Sequence, residues 1–421
     1  MPEYLAPGVF IEEFARGPKP IEGVSTSTAA FIGETERGPL RPRLVTAYNE
    51  YLRLYGTVFD DDKYMPFGVK AFFDNGGELV YIARLVGTGA DTASSDIKAY
   101  EITAIGPGAF GNRIYARILA STTEQPNAAG DALEPIGFRL QVAYWSRDVP
   151  GGLFDPFCED NENQLSQPQP SLVEDFDDLS LDPESANYWR KIITDTTSAL
   201  IRLRVPDNLA AIRPTADDVF GAPLMGGADG GALTSAQFDG MIDEAGSAID
   251  DSQNYRGLAA LNLDVYRDIA IVHAPGIGND DDTTRAIQLA IVNHCERNRF
   301  RFAVLDSARG LNTISDERLL PRNTIDTQYG AFYYPWYHTP NPSNGVKTLI
   351  PPGAAACGIY ALTGSRRVEK VVERSSRLTP VPITLAIGLV AMTGRVVEHE
   401  SCYRAVLVEV LALAFVTGAV V

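Results

Sequence analysis

The stretch IAIVHAPGIGNDDDTTRAIQLAIVNHCERNRFRFAVLD, residues 269–306, decides the fold class. Ile269-Ala270-Ile271-Val272 is a short, continuous apolar run, the pattern of a strand covered on both faces. Residues 283–298 carry Ile287, Ile291 and Cys295 at helical spacing, with Ala290 beside them, and read as an amphipathic helix. Residues 301–306 are the next apolar strand. Strand, helix and strand at this spacing make a βαβ unit with a parallel pair.

The same periodicity extends upstream. Thr28-Ala29-Ala30-Phe31-Ile32-Gly33 is a second buried-strand run. Thr46 is placed to cap a helix over residues 48–54, with Gly56 after it. Residues 66–73 read as another helix closed by Asn75-Gly76-Gly77, and residues 79–85 as a nearly continuous apolar strand. Downstream, residues 331–338 form an aromatic run, expected as one strand. Between these α/β segments, residues 98–227 have a different texture. Short strand patterns at 100–105, 113–118 and 137–144 alternate with loops, and residues 155–182 are rich in Asp, Glu, Pro, Gln and Ser. This predicts an inserted β-rich domain with a long acidic surface loop. Gly226-Gly227-Ala228-Asp229-Gly230-Gly231 is a glycine-rich return to the α/β part. At the front, Pro and Gly keep residues 1–25 from forming a helix, while Gly8, Val9, Phe10, Ile11, Glu12, Glu13 and Phe14 form a short strand pattern. Such a strand on a leash needs a sheet to join, in its own subunit or in a neighbour.

A chain of 421 residues, 45% hydrophobic, suggests two to four domains with sizeable cores. Its formal net charge of −18 argues against a general nucleic-acid binder and against docking on anionic lipid. The charge is uneven. Residues 362–421 hold five acids and seven bases, whereas the rest holds 49 acids against 29 bases. Cys158, Cys295, Cys357 and Cys402 lie far apart without a CxxC pair, which is not a disulfide framework and reads as reduced thiols. The first residues have no basic segment followed by an apolar one, so no signal-peptide pattern is visible, and no apolar stretch reaches the ~20 clean residues of a membrane span.

The candidate chemistry is thin. Residues 271–283 run strand, glycine loop, helix start, the place where an α/β enzyme holds phosphate. Gly276-Ile277-Gly278 lacks the third glycine of a dinucleotide fingerprint, and Asp280, Asp281 and Asp282 would repel an anion. Those aspartates suit a helix N-terminus, with a metal site as the alternative. His273, His294, His338 and His399 form no cluster and no HExxH. His273 at one strand end and Asp306 at the next could pair as base and carboxylate or share a structural hydrogen bond, but no nucleophile motif accompanies them. No catalytic, cofactor or metal constellation rises above background, and the α/β nucleotide- or metal-binding enzyme built on residues 273–282 stays open as an alternative.

The order of motifs along the chain is more specific. Tyr4-Leu5-Ala6-Pro7-Gly8-Val9-Phe10-Ile11-Glu12-Glu13 resembles the N-terminal arm of contractile tail sheath proteins, found in phage tails and related injection systems. Residues 25–38, STSTAAFIGETERG, are similar to that family's opening strand, and Phe72-Phe73-Asp74-Asn75-Gly76-Gly77 with Tyr81 to its helix–strand step. Pro107-Gly108-Ala109-Phe110-Gly111-Asn112 matches its "PGxWGN" turn, and Leu224–Gly230 resembles its return from the inserted domain. Tyr333-Tyr334-Pro335-Trp336, Pro351-Pro352-Gly353 and Gly358-Ile359-Tyr360-Ala361 are similar to its late segment. After Ala361 the pattern fades, and residues 362–421 do not match.

The resemblance implies a structural protomer and not an enzyme, without cofactor. Its fold would be an α/β (α+β) sheath domain, residues 26–97 and 228–361, with an inserted β-rich outer domain at 98–227 and an extended arm at 1–25. Its subunits would form a homo-oligomer of hexameric rings stacked helically around an inner tail tube, with baseplate and terminator or cap proteins as further partners. The arm strand Gly8–Phe14 would enter a neighbour's sheet. The particle would be a virion tail or injection system assembled in a bacterial or archaeal cytoplasm, without nucleic-acid or direct membrane binding.

Overall fold

A computed structural model of the chain describes residues 27–373, except 61, 98–99, 127–129, 148, 150–155, 158–167, 206–221, 279–280 and 311–324, with side chains described up to 363. The first part contains β1 (Thr28–Gly33), β2 (Arg43–Val45), α1 (Tyr48–Tyr55), α2 (Met65–Asp74) and β3 (Leu79–Arg84). A β-rich stretch follows: β4 (Ser94–Ile97), β5 (Tyr100–Ala104), β6 (Ile114–Ala120), β7 (Glu124–Pro126), β8 (Leu133–Pro135), β9 (Phe138–Tyr144), β10 (Leu172–Leu179), α3 (Trp189–Ile192), β11 (Ile201–Arg204) and β12 (Ala222–Pro223). The chain then continues with α4 (Ser235–Asp239), α5 (Gly257–Leu261), β13 (Ile271–His273), α6 (Asp282–Asn298), β14 (Phe302–Asp306), β15 (Gly330–Tyr333), β16 (Tyr337–Pro340), β17 (Lys347–Ile350) and α7 (Gly353–Glu373).

Six strands from both ends of the described chain form one sheet in the order β15-β14-β13-β1-β3-β2, and only β2 runs antiparallel to its neighbour. Alternation along β1 explains the three layers. Ala29 and Phe31 face α1, α2 and α7, while Ala30 and Ile32 face α4, α5 and α6. Each of these β1 side chains is fully buried, and a buried Phe or Ile contributes about 1.5–3 kcal/mol. The first half of α7 packs with Ala354, Ala355, Ala356, Cys357 and Ala361, small residues that let the helix lie close to the sheet and α2.

The β-rich stretch has its own core, in which Ile114, Ala116 and Ile118 of β6 meet Leu140 and Val142 of β9. A four-stranded sheet, β10-β9-β6-β12, lies with a three-stranded one, β11-β5-β4. The architecture is thus mixed α/β with several sheets.

Several local expectations change. The N-cap of α1 is Ala47, whose side chain accepts nothing, and Thr46 instead donates to Glu50 Oε2 at 2.9 Å. Part of the expected acidic loop, Leu172–Leu179, is strand β10, because Phe176 and Leu179 are apolar enough to pack on β9 and the buried Glu174 accepts from Ser198 Oγ and Ala199 N, both at 2.7 Å. The aromatic run at 331–338 is two strands and not one. It breaks at Pro335, which has no N–H to give a ladder, and Trp336 turns inward to donate to Ser307 O at 2.9 Å.

Candidate functional site

Two connections join the β-rich part to the α/β part, and they pair with each other. Asp91 and Ala228 exchange backbone hydrogen bonds of 2.9 and 3.1 Å, as do Ser94 and Met225 at 2.9 and 3.0 Å. Three segments that carry family-like motifs converge here. Asn112 Nδ2 donates to Gly227 O at 2.7 Å and its Oδ1 accepts from Gly227 N at 2.9 Å. Asp229 Oδ1 accepts from Ala109 N at 2.9 Å. Gly108 sits at φ 138°, and a Cβ there would lie 2.9 Å from the Phe110 ring and 3.3 Å from the Arg84 guanidinium, so only glycine fits.

Arg84 is the centre of this junction. It ends β3, is 2% exposed, and donates to Gly38 O at 3.2 Å and Pro107 O at 2.7 Å. Burial pulls its pKa down to about 10, and Asp229 opposes that, so the group remains a cation. One arginine thus ties the opening loop, the PG turn and β3 together. The only sequence signal for it is a charge inside an otherwise apolar strand.

A second cluster, also unforeseen, joins the parts through side chains. Glu36 follows β1, and Tyr144 ends β9. The Tyr144 hydroxyl donates to Glu36 Oε1 at 2.5 Å, Arg113 Nη2 lies 3.5 Å from the same oxygen, and Thr57 N donates to Oε2 at 2.9 Å. Arg37 lies over the Tyr144 ring at 4.7 Å and donates to Leu52 O and Arg53 O at the end of α1, where a cation complements the helix dipole. Burial, aided by Glu36, raises the Tyr144 pKa well above its usual value and keeps the hydroxyl a donor. Between the parts lies a cleft of about 990 Å³ whose walls carry Glu34, Lys63, Arg113 and Asp229. Lys63 pairs with Glu34, and Arg113 with Glu36, so wall charges are largely compensated from within.

The residues considered for catalysis do not form an open site. His273 and Asp306 come together with Nε2 3.6 Å from Oδ2, but both are fully buried. Gly353 covers them: a Cβ on it would lie 2.5 Å from both Asp306 Oδ1 and His273 Cε1. No substrate has access. Asp281 caps α6, accepting from Thr284 N at 2.8 Å, and this hydrogen bond lowers its pKa. Asp282 is the first residue of that helix and pairs with Arg285 at 2.6 Å, while Asp280 lies outside the described residues. Cys295 and Cys357 are buried free thiols, with burial pushing Cys295 up to about 12 and Cys357 also well upward. Among the described residues, no group of three or more His, Cys, Asp or Glu could hold a metal, and no helix is long and apolar enough to cross a membrane. The strand pattern Gly8, Val9, Phe10, Ile11, Glu12, Glu13 and Phe14 lies outside the described residues.

No family model matches the chain. No curated protein matches it either. Among solved structures it is similar to sheath proteins. The sheath tail protein from Desulfitobacterium hafniense is 13% identical over 85% of this chain and 62% of that one, with a TM-score of 0.41. The sheath tail protein from Listeria innocua is 9% identical over 80% and 56%, with a TM-score of 0.42. The helical sheath of the anti-feeding prophage in its contracted state is 12% identical over 93% and 59%, with a TM-score of 0.32. The chain therefore spans about three fifths of the length of each of these proteins.

Proposed function

We propose that the chain is a structural protomer of a contractile tail sheath, stacking as hexameric rings around an inner tube and contracting to drive that tube through a target envelope. The observation that carries this reading is the order of six sheath-like motifs over residues 4–361, three of which meet at the Arg84 junction. A sheath needs a subunit that keeps its shape while its neighbours move, and the double connection with its buried arginine suits that need. The acidic outer part would keep particles apart in solution. In this reading the chain divides into an arm at 1–25, a sheath domain at 26–97 and 228–361, and an outer domain at 98–227. The strand Gly8–Phe14 adds to a sheet of a neighbouring subunit. The tube protein, a baseplate and a cap are its partners, and the particle assembles in the cytoplasm of a bacterium or archaeon as a virion tail or injection system.

The test is negative-stain microscopy of the full chain produced with its tube protein. Sheath-like tubes or stacked rings are expected, and discrete compact oligomers under every condition would overturn the reading. Deletion of residues 1–14 is expected to abolish tubes while leaving soluble protein. Tubes that persist would refute the role of the arm but not the sheath assignment.

A further inference from the structure

We propose that His273 and Asp306 hold one shared proton inside the carboxyl end of the sheet, and that this proton makes the fold sensitive to alkali. The argument starts from the other ring nitrogen. His273 Nδ1 lies 2.8 Å from Val304 O, and a carbonyl can only accept, so Nδ1 carries a hydrogen. In a neutral ring Nε2 is then a bare acceptor. It faces Asp306 Oδ2 at 3.6 Å and has no hydrogen-bond partner.

Asp306 is held in place from two sides. Its Oδ1 accepts from Gly353 N at 2.8 Å, at the start of α7, and its Oδ2 accepts from Gly276 N at 3.2 Å, in the loop after β13. Both His273 and Asp306 are 0% exposed. A neutral ring beside a carboxylate would set two acceptors against each other and bury a negative charge that only two backbone N–H groups offset. A protonated ring beside a protonated acid would bury a positive charge. One proton between them, on either partner, removes both costs.

The surroundings do not offer another counter-charge to that pair. Phe31 of β1 meets the His273 ring edge to face at 5.3 Å. Gln288 of α6 donates to Asp306 O, the backbone carbonyl, at 2.8 Å. Tyr337 of β16 and Cys357 of α7 are the titratable groups that face Asp306 from those elements, and burial keeps both neutral. Burial also raises the Asp306 pKa, against the opposing effects of His273 and the two backbone N–H groups.

The pH dependence follows by linkage. In the unfolded chain Asp and His titrate near pH 3.9 and 6.5, so between these values that chain also holds about one proton on the two groups. Above about pH 6.5 the unfolded chain loses its proton while the folded pair keeps one. The folding equilibrium then weakens by up to about tenfold per pH unit.

Histidine-selective nitrogen-15 NMR on the full chain tests the proton directly, with His273→Gln assigning the signal. The expected result is a His273 ring whose Nδ1–H persists and whose shifts stay constant from pH 5 to 9. A ring titrating between pH 5 and 8, or carrying its hydrogen on Nε2 alone, would overturn the proposal. Urea unfolding of Asp306→Asn, whose amide can donate to Nε2 without a titrating proton, is the second measurement. The variant should lose up to about tenfold per pH unit of the wild-type alkaline slope; an unchanged slope would refute the linkage.

Discussion

Two buried histidines sit at opposite ends of the same α/β layer, and their partners have opposite sign. At the carboxyl end of the strands, His273 faces the Asp306 carboxylate. At the amino end, His294 of α6 accepts from Arg301 Nη1 at 2.7 Å. Arg301 also donates to Leu261 O at 2.7 Å, Tyr266 O at 2.8 Å and Ile269 O at 3.3 Å. Burial pulls the His294 pKa down to about 3, with Arg301 adding to the effect, so this ring stays neutral and serves as an acceptor. The same residue type, equally buried, shares one proton with an acid in one place and stays neutral beside a cation in the other. Both tie loops to strand ends: His273 and Asp306 join the β13 loop and α7, while Arg301 joins α5, its following turn and β13. An α/β carboxyl end is where ligands usually bind. Here the described strand ends of β13 and β14 are filled by structural polar contacts.

The sharpest way to break the comparison is Arg301→Ala. It removes the guanidinium donor from three carbonyls and from His294, and should cost about 4 kcal/mol of unfolding free energy, read from urea titration. A loss under about 1 kcal/mol would mean that water replaces the guanidinium readily. Asp306→Ala at the other end should cost slightly less, about 3 kcal/mol, since two backbone N–H groups lose their acceptor. Calorimetry at pH 6 measures it, and a stability equal to that of the wild type would contradict the assigned network.

The histidines also predict opposite responses to pH. The folded-state pKa of His294 lies below its unfolded value, so its contribution is present above about pH 6.5 and is lost as pH falls toward 3. The loss should approach about 1.4 kcal/mol per pH unit in that window. His294→Gln, which can still accept from Arg301, should flatten the acid limb relative to the wild type. Equal acid limbs would remove the contrast between the two ends. The smallest effect is expected at the junction. Tyr144→Phe deletes the hydrogen bond to Glu36 but keeps the ring under Arg37, and should cost about 1 kcal/mol. Limited proteolysis should then cut the connections near residues 85–94 or 225–231 faster, and an unchanged cleavage pattern would show that the Tyr144–Glu36 hydrogen bond does not help to hold the two parts.

Long apolar runs made much of this fold readable. β1, β3, β13 and β14 announce themselves because a strand covered on both faces must be apolar throughout, and α6 because Ile287, Ile291 and Cys295 recur on one face. Strand β2 is three residues long and α7 begins with small residues, so neither pattern is distinctive. The polar sites were less legible. Arg84 could have been flagged as a charge in an apolar strand, but Tyr144 and Glu36 are 108 positions apart, and no local pattern links them.

By itself, the sequence determined the α/β class, the β-rich middle, the capped helix after β13 and the sheath-like order of motifs. These depend on periodicity and composition over short windows, which a linear reading captures. Only the tertiary structure decided the strand order, the sealing of His273 and Asp306 under Gly353, and the convergence of distant motifs on Arg84. Those depend on which segments meet in space, and a buried charge takes its protonation and its role from neighbours that the chain brings from far away.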